Sequence, residues 1–216
     1  TMLAYFDPDG DWSDPKNIKS EYWANWCRVY ILGEIGKLEG VVFNNWSEIE
    51  QVPPEAKLVS LVLDFGYSND PTALVAIYKW NNHYILDEEI YETGLTNRDI
   101  ANLVKSKGLQ RHAIIADSAE PKSIKELNNH GLKVRPAQKG PDSIKFGIDK
   151  MQEQQFLITK RSHNIKDEFR RYKWAKNKIG EAMNKPIDIF NHAIDAIRYF
   201  FTSKPKLKAP KVTVYE

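Results

Sequence analysis

The sequence predicts an α/β fold, a mixed β-sheet flanked by helices, on three observations. The apolar run Leu58–Leu63 stops on Asp64, and a second run, His112–Ala116, stops on Asp117. Around them, apolar stretches of strand length alternate with stretches of helical period. A final apolar stretch of helical period, Ile187–Phe201, closes the pattern.

Taken in order, Leu58–Asp64 reads as a buried strand, DFGYSNDP as its exit turn and Thr72–Trp80 as the next strand. Asn81-Asn82 is a tight turn before His83–Ile90, which makes these three strands antiparallel neighbours. Thr96–Lys107 reads as a helix with Thr96 as its N-cap. A short strand, His112–Ala116, leads to Asp117; Pro121–Asn129 is helical, and Gly131 precedes the strand Leu132–Arg135. Gly140-Pro141-Asp142-Ser143 introduces a helix to about Gln152, and Phe156–Thr159 is a further strand. Residues 163–182 leave two readings open, a helix over Asn164–Trp174 or a β-hairpin decorated with basic and aromatic side chains. Ile187–Phe201 is expected to be one helix, with Phe190, Ile194, Ile197 and Phe201 on its apolar face.

The first 57 residues differ in character. They hold the turn-rich DPDGDWSDP, a helix candidate at Ser20–Trp26, the strand candidate CRVYIL, and a linker at Gln51-Val52-Pro53-Pro54. The expected division is an extension at 1–57, the main domain at 58–203 and a basic, mobile Pro/Lys-rich tail at 204–216.

Composition narrows the function. The chain has 216 residues, 42% hydrophobic and 28% charged, an ordinary globular balance. No apolar run approaches the length that spans a bilayer, so no membrane partner is expected. Cys27 is the only cysteine, which excludes an intrachain disulfide and a cysteine-cluster metal site. The net charge of +2 says little, but its distribution says more: residues 1–159 carry 17 basic and 23 acidic side chains, residues 160–211 carry 14 and 5. A basic surface late in the chain fits either a nucleic-acid face or a solubilising surface and tail.

A carboxylate at the end of a buried strand has a rigid support and a head that reaches a crevice. Asp64 and Asp117 share that setting and converge if their strands adjoin; alternatively each caps a turn. Asp188, His192 and Asp195 follow at spacings of four and three, which places them on one face of the expected last helix. Converging carboxylates suit Mg²⁺ or Mn²⁺, and an imidazole can join a Mn²⁺ site. Two such ions activate water and stabilise both oxygens exchanged at a phosphodiester. On this reading Asp64, Asp117, Asp195 and His192 are ligands, and Asp188 is a helix cap or an outer support.

Three segments carry a resemblance: LVLDFGYSNDPTALVAIY at 61–78, IIADSAEPKSIKEL at 114–127 and DIFNHAIDAIRYFF at 188–201. Together they resemble the nuclease domain of the large terminase subunit of tailed bacteriophages, whose last helix carries an NHxxDAxRY pattern. The resemblance covers roughly residues 58–202 and implies an RNase H-like fold that cuts concatemeric viral DNA during genome packaging. It maps the family's catalytic acids onto Asp64, Asp117 and Asp195 and its nearby histidine onto His192, and it gives Glu120 a supporting role beside a plain helix-start reading. GEIGKLEGVVFNNW is similar to the junction from the terminase ATPase portion, while a P-loop, GxxxxGK[ST], is absent from the chain. The resemblance further implies, as partners, an upstream ATPase domain, the small terminase subunit and the portal protein, in the host cytoplasm and transiently at the procapsid portal.

Double-stranded DNA is expected to meet Lys139 and Lys145 near a helix start, and Arg170, Arg171, Lys173, Trp174, Lys176 and Lys178 on an auxiliary hairpin similar to one in that family. Such contacts address the backbone and imply little sequence selectivity. The competing readings are a RuvC-like or transposase-like nuclease, an actin-like ATPase suggested by DFG alone, and a noncatalytic packaging-assembly module.

Overall fold

The computed structural model describes residues 40–140, 142–177 and 182–203, without the side chains of Ala182 and Asn184. The expected helix at Ser20–Trp26, the strand CRVYIL, Lys178 and the tail at 204–216 lie outside the described residues. In chain order the elements are β1 (Trp46–Ile49), β2 (Lys57–Asp64), β3 (Thr72–Trp80), β4 (His83–Glu92), α1 (Asn97–Ser106), β5 (Ala113–Ala116), α2 (Pro121–Asn129), β6 (Lys133–Pro136), α3 (Ser143–Gln152), β7 (Phe156–Thr159), α4 (His163–Arg171), β8 (Trp174–Lys176), β9 (Ala182–Pro186) and α5 (His192–Thr202).

Seven strands form one mixed sheet in the order β1-β7-β4-β3-β2-β5-β6, and β8 and β9 form a separate two-stranded sheet. Strands β2, β3 and β4 run antiparallel, as expected, with the Asn81 turn in the left-handed region at φ 50°. β5 lies parallel to β2, β6 parallel to β5, and β7 parallel to β4. The pairing of Leu63 with Ala116 sets the next residues, Asp64 and Asp117, side by side at the same sheet end.

Both faces of this sheet are covered, which is why β2 reads as an unbroken apolar run. Val62, Val75, Ile77 and Ile115 pack with Ile148, Ile165, Phe169, Ile194 and Ile197 from α3, α4 and α5. Leu61, Leu63, Leu74 and Ile114 point the other way, onto Ile100, Val104, Ile124 and Leu127 from α1 and α2. Thr96 caps α1 in a full capping box with Asp99.

Three features differ from the sequence reading. The sheet begins before Leu58: β1 joins its edge beside β7, and Val42 and Phe43 are buried. Residues 163–182 contain both readings in succession, helix α4 and then the first strand of the hairpin. The last helix starts at His192 and not at Ile187, because Phe190 sits at φ 57°, a left-handed conformation that no helix continues through. Ile187 instead extends the hairpin, donating its amide to the Lys173 carbonyl at 2.9 Å.

Candidate metal centre

Asp64 and Asp117 leave the ends of β2 and β5, and α5 crosses above them with Asp195 and His192 in its first turn. All four line one open cleft of about 890 Å³, together with Asp70, Asp188 and Tyr199. The turn after Asp64 is drawn tight: Thr72 Oγ1 donates to the Gly66 carbonyl at 3.0 Å. A Cβ on Gly66 would lie 2.2 Å from the Asp70 carbonyl oxygen, so only glycine allows the chain to double back there.

Each acid has a partner. Tyr199 Oη reaches Asp64 Oδ1 at 2.9 Å and Asp117 Oδ2 at 3.1 Å, placing one hydroxyl between the two carboxylates. Burial, and then the charges of Asp64, Asp195 and Asp117, push the Tyr199 phenol pKa up, so it remains a donor. Asp117 also accepts from the Ala119 amide at 2.8 Å and from the Lys139 ammonium. Burial opposes its ionisation, but these contacts prevail and hold its carboxyl below the usual value. Asp195 accepts from Arg198 Nε at 3.2 Å and pairs with Arg198 Nη2 at 3.0 Å. Burial raises its pKa, Arg198 opposes the rise and Asp64 adds to it. His192 Nδ1 lies 3.5 Å from Asp64 Oδ2, and its Nε2 lies 3.7 Å from Asp70 Oδ1. The Asp64 contact, against burial, raises the imidazole pKa.

Among the described residues, no three His, Cys, Asp or Glu side chains enclose an ion as they stand. The donor chemistry of the cleft nevertheless fits a hard divalent cation: carboxylate oxygens from two strand ends and one helix turn, with one imidazole nearby.

The other expected residues are placed as follows. Asp188 is exposed and lies outside α5, so the shared helix face with His192 and the cap role do not hold; Asn191 is at the N-cap position and makes no side-chain cap bond. Asp188 still lines the cleft and an adjoining hollow of about 460 Å³, which Lys145, Tyr172, Trp174 and Lys185 also line. Glu120 stands at the start of α2, accepting from Ser123 Oγ at 3.3 Å, and does not line the cleft. Arg170 and Arg171 are exposed, the first over the Trp46 ring and the second over Phe190 and paired with Asp167 at 2.8 Å. Lys173 is half-buried, Lys176 is exposed, and Trp174 packs against the core beneath the hairpin.

Sequence reasoning missed Tyr199, Arg198 and Glu168. The first two stand four and three residues after Asp195, spacing that keeps them near it on the helix. Glu168 was signalled by an acid on the apolar stripe of Ile165, Phe169 and Tyr172; it is 2% exposed. Its carboxylate accepts from Tyr91 Oη at 2.8 Å and from the amides of Ala193 and Ile194 at 3.1 and 3.0 Å. Burial raises its pKa against those bonds.

The family model described as the terminase RNase H-like domain matches residues 64–203. The large terminase subunit of Bacillus phage SPP1 is 34% identical over 145 residues, covering 64% of this chain and 34% of that protein, so the chain spans about a third of the relative's length. The crystal structure of the SPP1 g2p (large terminase) nuclease domain with bound Mn superposes with a TM-score of 0.65 at 31% identity, over 74% of this chain and 96% of that one. The large terminase nuclease from thermophilic phage G20c with bound magnesium shares the fold at 15% identity and a TM-score of 0.52, over 76% and 97% of the two chains.

Proposed function

Because the chain belongs to the terminase RNase H-like domain family, we propose that it is a metal-dependent endonuclease that hydrolyses phosphodiester bonds of concatemeric double-stranded viral DNA during genome packaging. The observation that carries this reading is the convergence of Asp64, Asp117 and Asp195, from two adjacent strand ends and one helix turn, on a single open cleft. The manganese bound by the SPP1 relative supports divalent metal use, with Mg²⁺ or Mn²⁺ as the cofactor. Asp64, Asp117, Asp195 and His192 would hold two divalent ions. When bound, such ions supply a nucleophile at neutral pH and neutralise charge at the phosphate.

The protein's own groups do the rest. Tyr199 fixes the Asp64 and Asp117 carboxylates relative to one another, and Arg198 fixes Asp195. Lys139, whose ammonium pairs with Asp117, would bring a positive charge to a phosphate oxygen beside it. Lys145, Arg170, Arg171, Lys173, Lys176 and Lys178 would hold the duplex through its backbone, with Trp174 supporting the hairpin from below, and so with little sequence selectivity and a strong salt dependence. Asp188, which lines the cleft and the adjoining hollow, would support the centre from outside its ligands, and Glu120 would serve the start of α2.

In this reading the cutting domain takes in β1 and the buried Val42 and Phe43 and runs to residue 203, and the segment before it joins an upstream ATPase domain. The whole protein would work with the small terminase subunit and the portal protein in the host cytoplasm, transiently at the procapsid portal. Among the described residues no helix is long and apolar enough to cross a membrane.

The test is cleavage of supercoiled and linear duplex DNA with Mn²⁺, Mg²⁺ or EDTA, comparing wild type with Asp64→Asn. Cutting is expected only with metal, and Asp64→Asn should lose more than about 100-fold, beyond what loss of an outer support costs. Cutting that survives EDTA, or is indifferent to Asp64→Asn, would reject the assignment.

A further inference from the structure

Helix α5 carries His192 and Asp195 in its first turn, yet nothing in its own sequence fixes where that turn begins. Asn191, at the N-cap position, makes no side-chain cap bond, and Phe190 before it is left-handed. An N-cap oxygen ordinarily satisfies the amides two and three positions on, which here belong to Ala193 and Ile194. Both amides donate instead to Glu168, a residue of α4, one to each carboxylate oxygen. The Tyr91 hydroxyl, from β4, donates to Oε1 of the same carboxylate and holds it against the sheet. Glu168 is thus buried, fully engaged, and serves as a cap supplied from another helix.

We propose that Glu168 is a positioning residue for the metal centre: by capping α5 from α4, it sets the first turn in which His192 and Asp195 stand. The proposal rests on the reading of those two residues as ligands. The physical reason is local. A helix end without a cap frays over its first turn, and here that turn contains two of the four candidate ligands, while Asp64 and Asp117 sit on strands that fraying does not touch. A residue that only stabilised the fold would lower the melting temperature without changing ion affinity at temperatures where the protein is folded. A positioning residue changes the affinity itself, because ligand orientation is lost.

The experiment is Mn²⁺ titration of the 216-residue chain, followed by electron paramagnetic resonance of the free ion, alongside thermal melts without metal. The proteins are wild type, Asp64→Asn, Glu168→Gln, Tyr91→Phe and Thr159→Val. Glutamine keeps the shape of Glu168 but turns one acceptor into a donor that faces an amide N–H. Thr159→Val breaks buried hydrogen bonds to Asp87 and to Ser162, at the far end of α4 from Glu168 and away from the cleft, and serves as a stability control.

Glu168→Gln should weaken Mn²⁺ binding by about 10- to 100-fold, Tyr91→Phe should weaken it less, and Thr159→Val should melt earlier with its affinity intact. Wild-type affinity in folded Glu168→Gln overturns the proposal and leaves the metal-centre reading standing. If Glu168→Gln does not fold, wild-type affinity in Tyr91→Phe overturns it. A fall in affinity in Thr159→Val as large as that in Glu168→Gln also overturns it, since destabilisation would then account for both. Wild type that binds no Mn²⁺, or binds it no better than Asp64→Asn, overturns the metal-centre reading and this proposal together.

Discussion

Tyr199 shows how one side chain changes what a pair of acids can do. Two carboxylates on adjacent strand ends repel, and a neutral phenol between them offers a proton that either can accept. A hydrogen bond to a charged group contributes on the order of 1.5–3 kcal/mol, so Tyr199→Phe should destabilise the metal-free protein by about that much. Divalent cations would replace the missing donor. The rise in melting temperature on adding Mn²⁺ should therefore be larger for Tyr199→Phe than for wild type, and an equal or smaller rise would count against Asp64 and Asp117 as ligands. The acids themselves were legible from their place after apolar runs. Their partners were not: Arg198 and Tyr199 close the NHxxDAxRY pattern, but what each one holds depends on the strands beneath the helix.

Among the elements, regular periodicity carried most of the reading and irregular backbone defeated it. Strands β2, β3, β4 and β7 and helices α1, α2 and α3 stand close to where their patterns place them. β1 escaped because Trp-Ser-Glu-Ile is short, polar in its middle and only half-buried at its ends. The start of α5 escaped because a phenylalanine in left-handed backbone is set by its surroundings, here the Arg171 guanidinium 4.0 Å over its ring, and not by propensity. A contact joins β1 to α4: the buried Lys166 ammonium donates to Glu48 and to the Lys160 carbonyl. The Lys166 hydrogen bond, against a small cost of burial, lowers the Glu48 pKa below 4.5. An acid whose folded pKa is depressed contributes stability that is present above its unfolded value and lost as pH falls through its folded one. The difference in urea midpoint between wild type and Glu48→Gln should accordingly be full above about pH 4.5 and shrink as the pH is lowered further. A difference independent of pH would show that packing, and not charge, makes this contact.

For the molecule as a whole, the α/β class and the antiparallel β2–β4 group followed from alternation and turn chemistry, but the strand order did not. Which short strand lies beside which depends on pairings across dozens of residues, and those leave no local mark. That order decides the chemistry, since it is the β2–β5 pairing that sets Asp64 beside Asp117. It also leaves β6 at the end of the sheet, four residues long, with Val134 buried, Lys133 and Arg135 exposed, and Pro136 last. An end strand can offer unpaired backbone groups to another chain; here the Asn128 side chain accepts from the Val134 amide at 2.8 Å and donates to the Val134 carbonyl at 2.9 Å, and short length, charge and proline add to that guard. Replacing Lys133 and Arg135 together with valine should leave the melting temperature nearly unchanged, as both are exposed. Light scattering should nonetheless rise with protein concentration, and its absence would mean that the Asn128 side chain on Val134 guards this edge without them. By this account the two cations at β6 serve colloidal solubility, keeping copies of the chain from stacking edge to edge at high concentration.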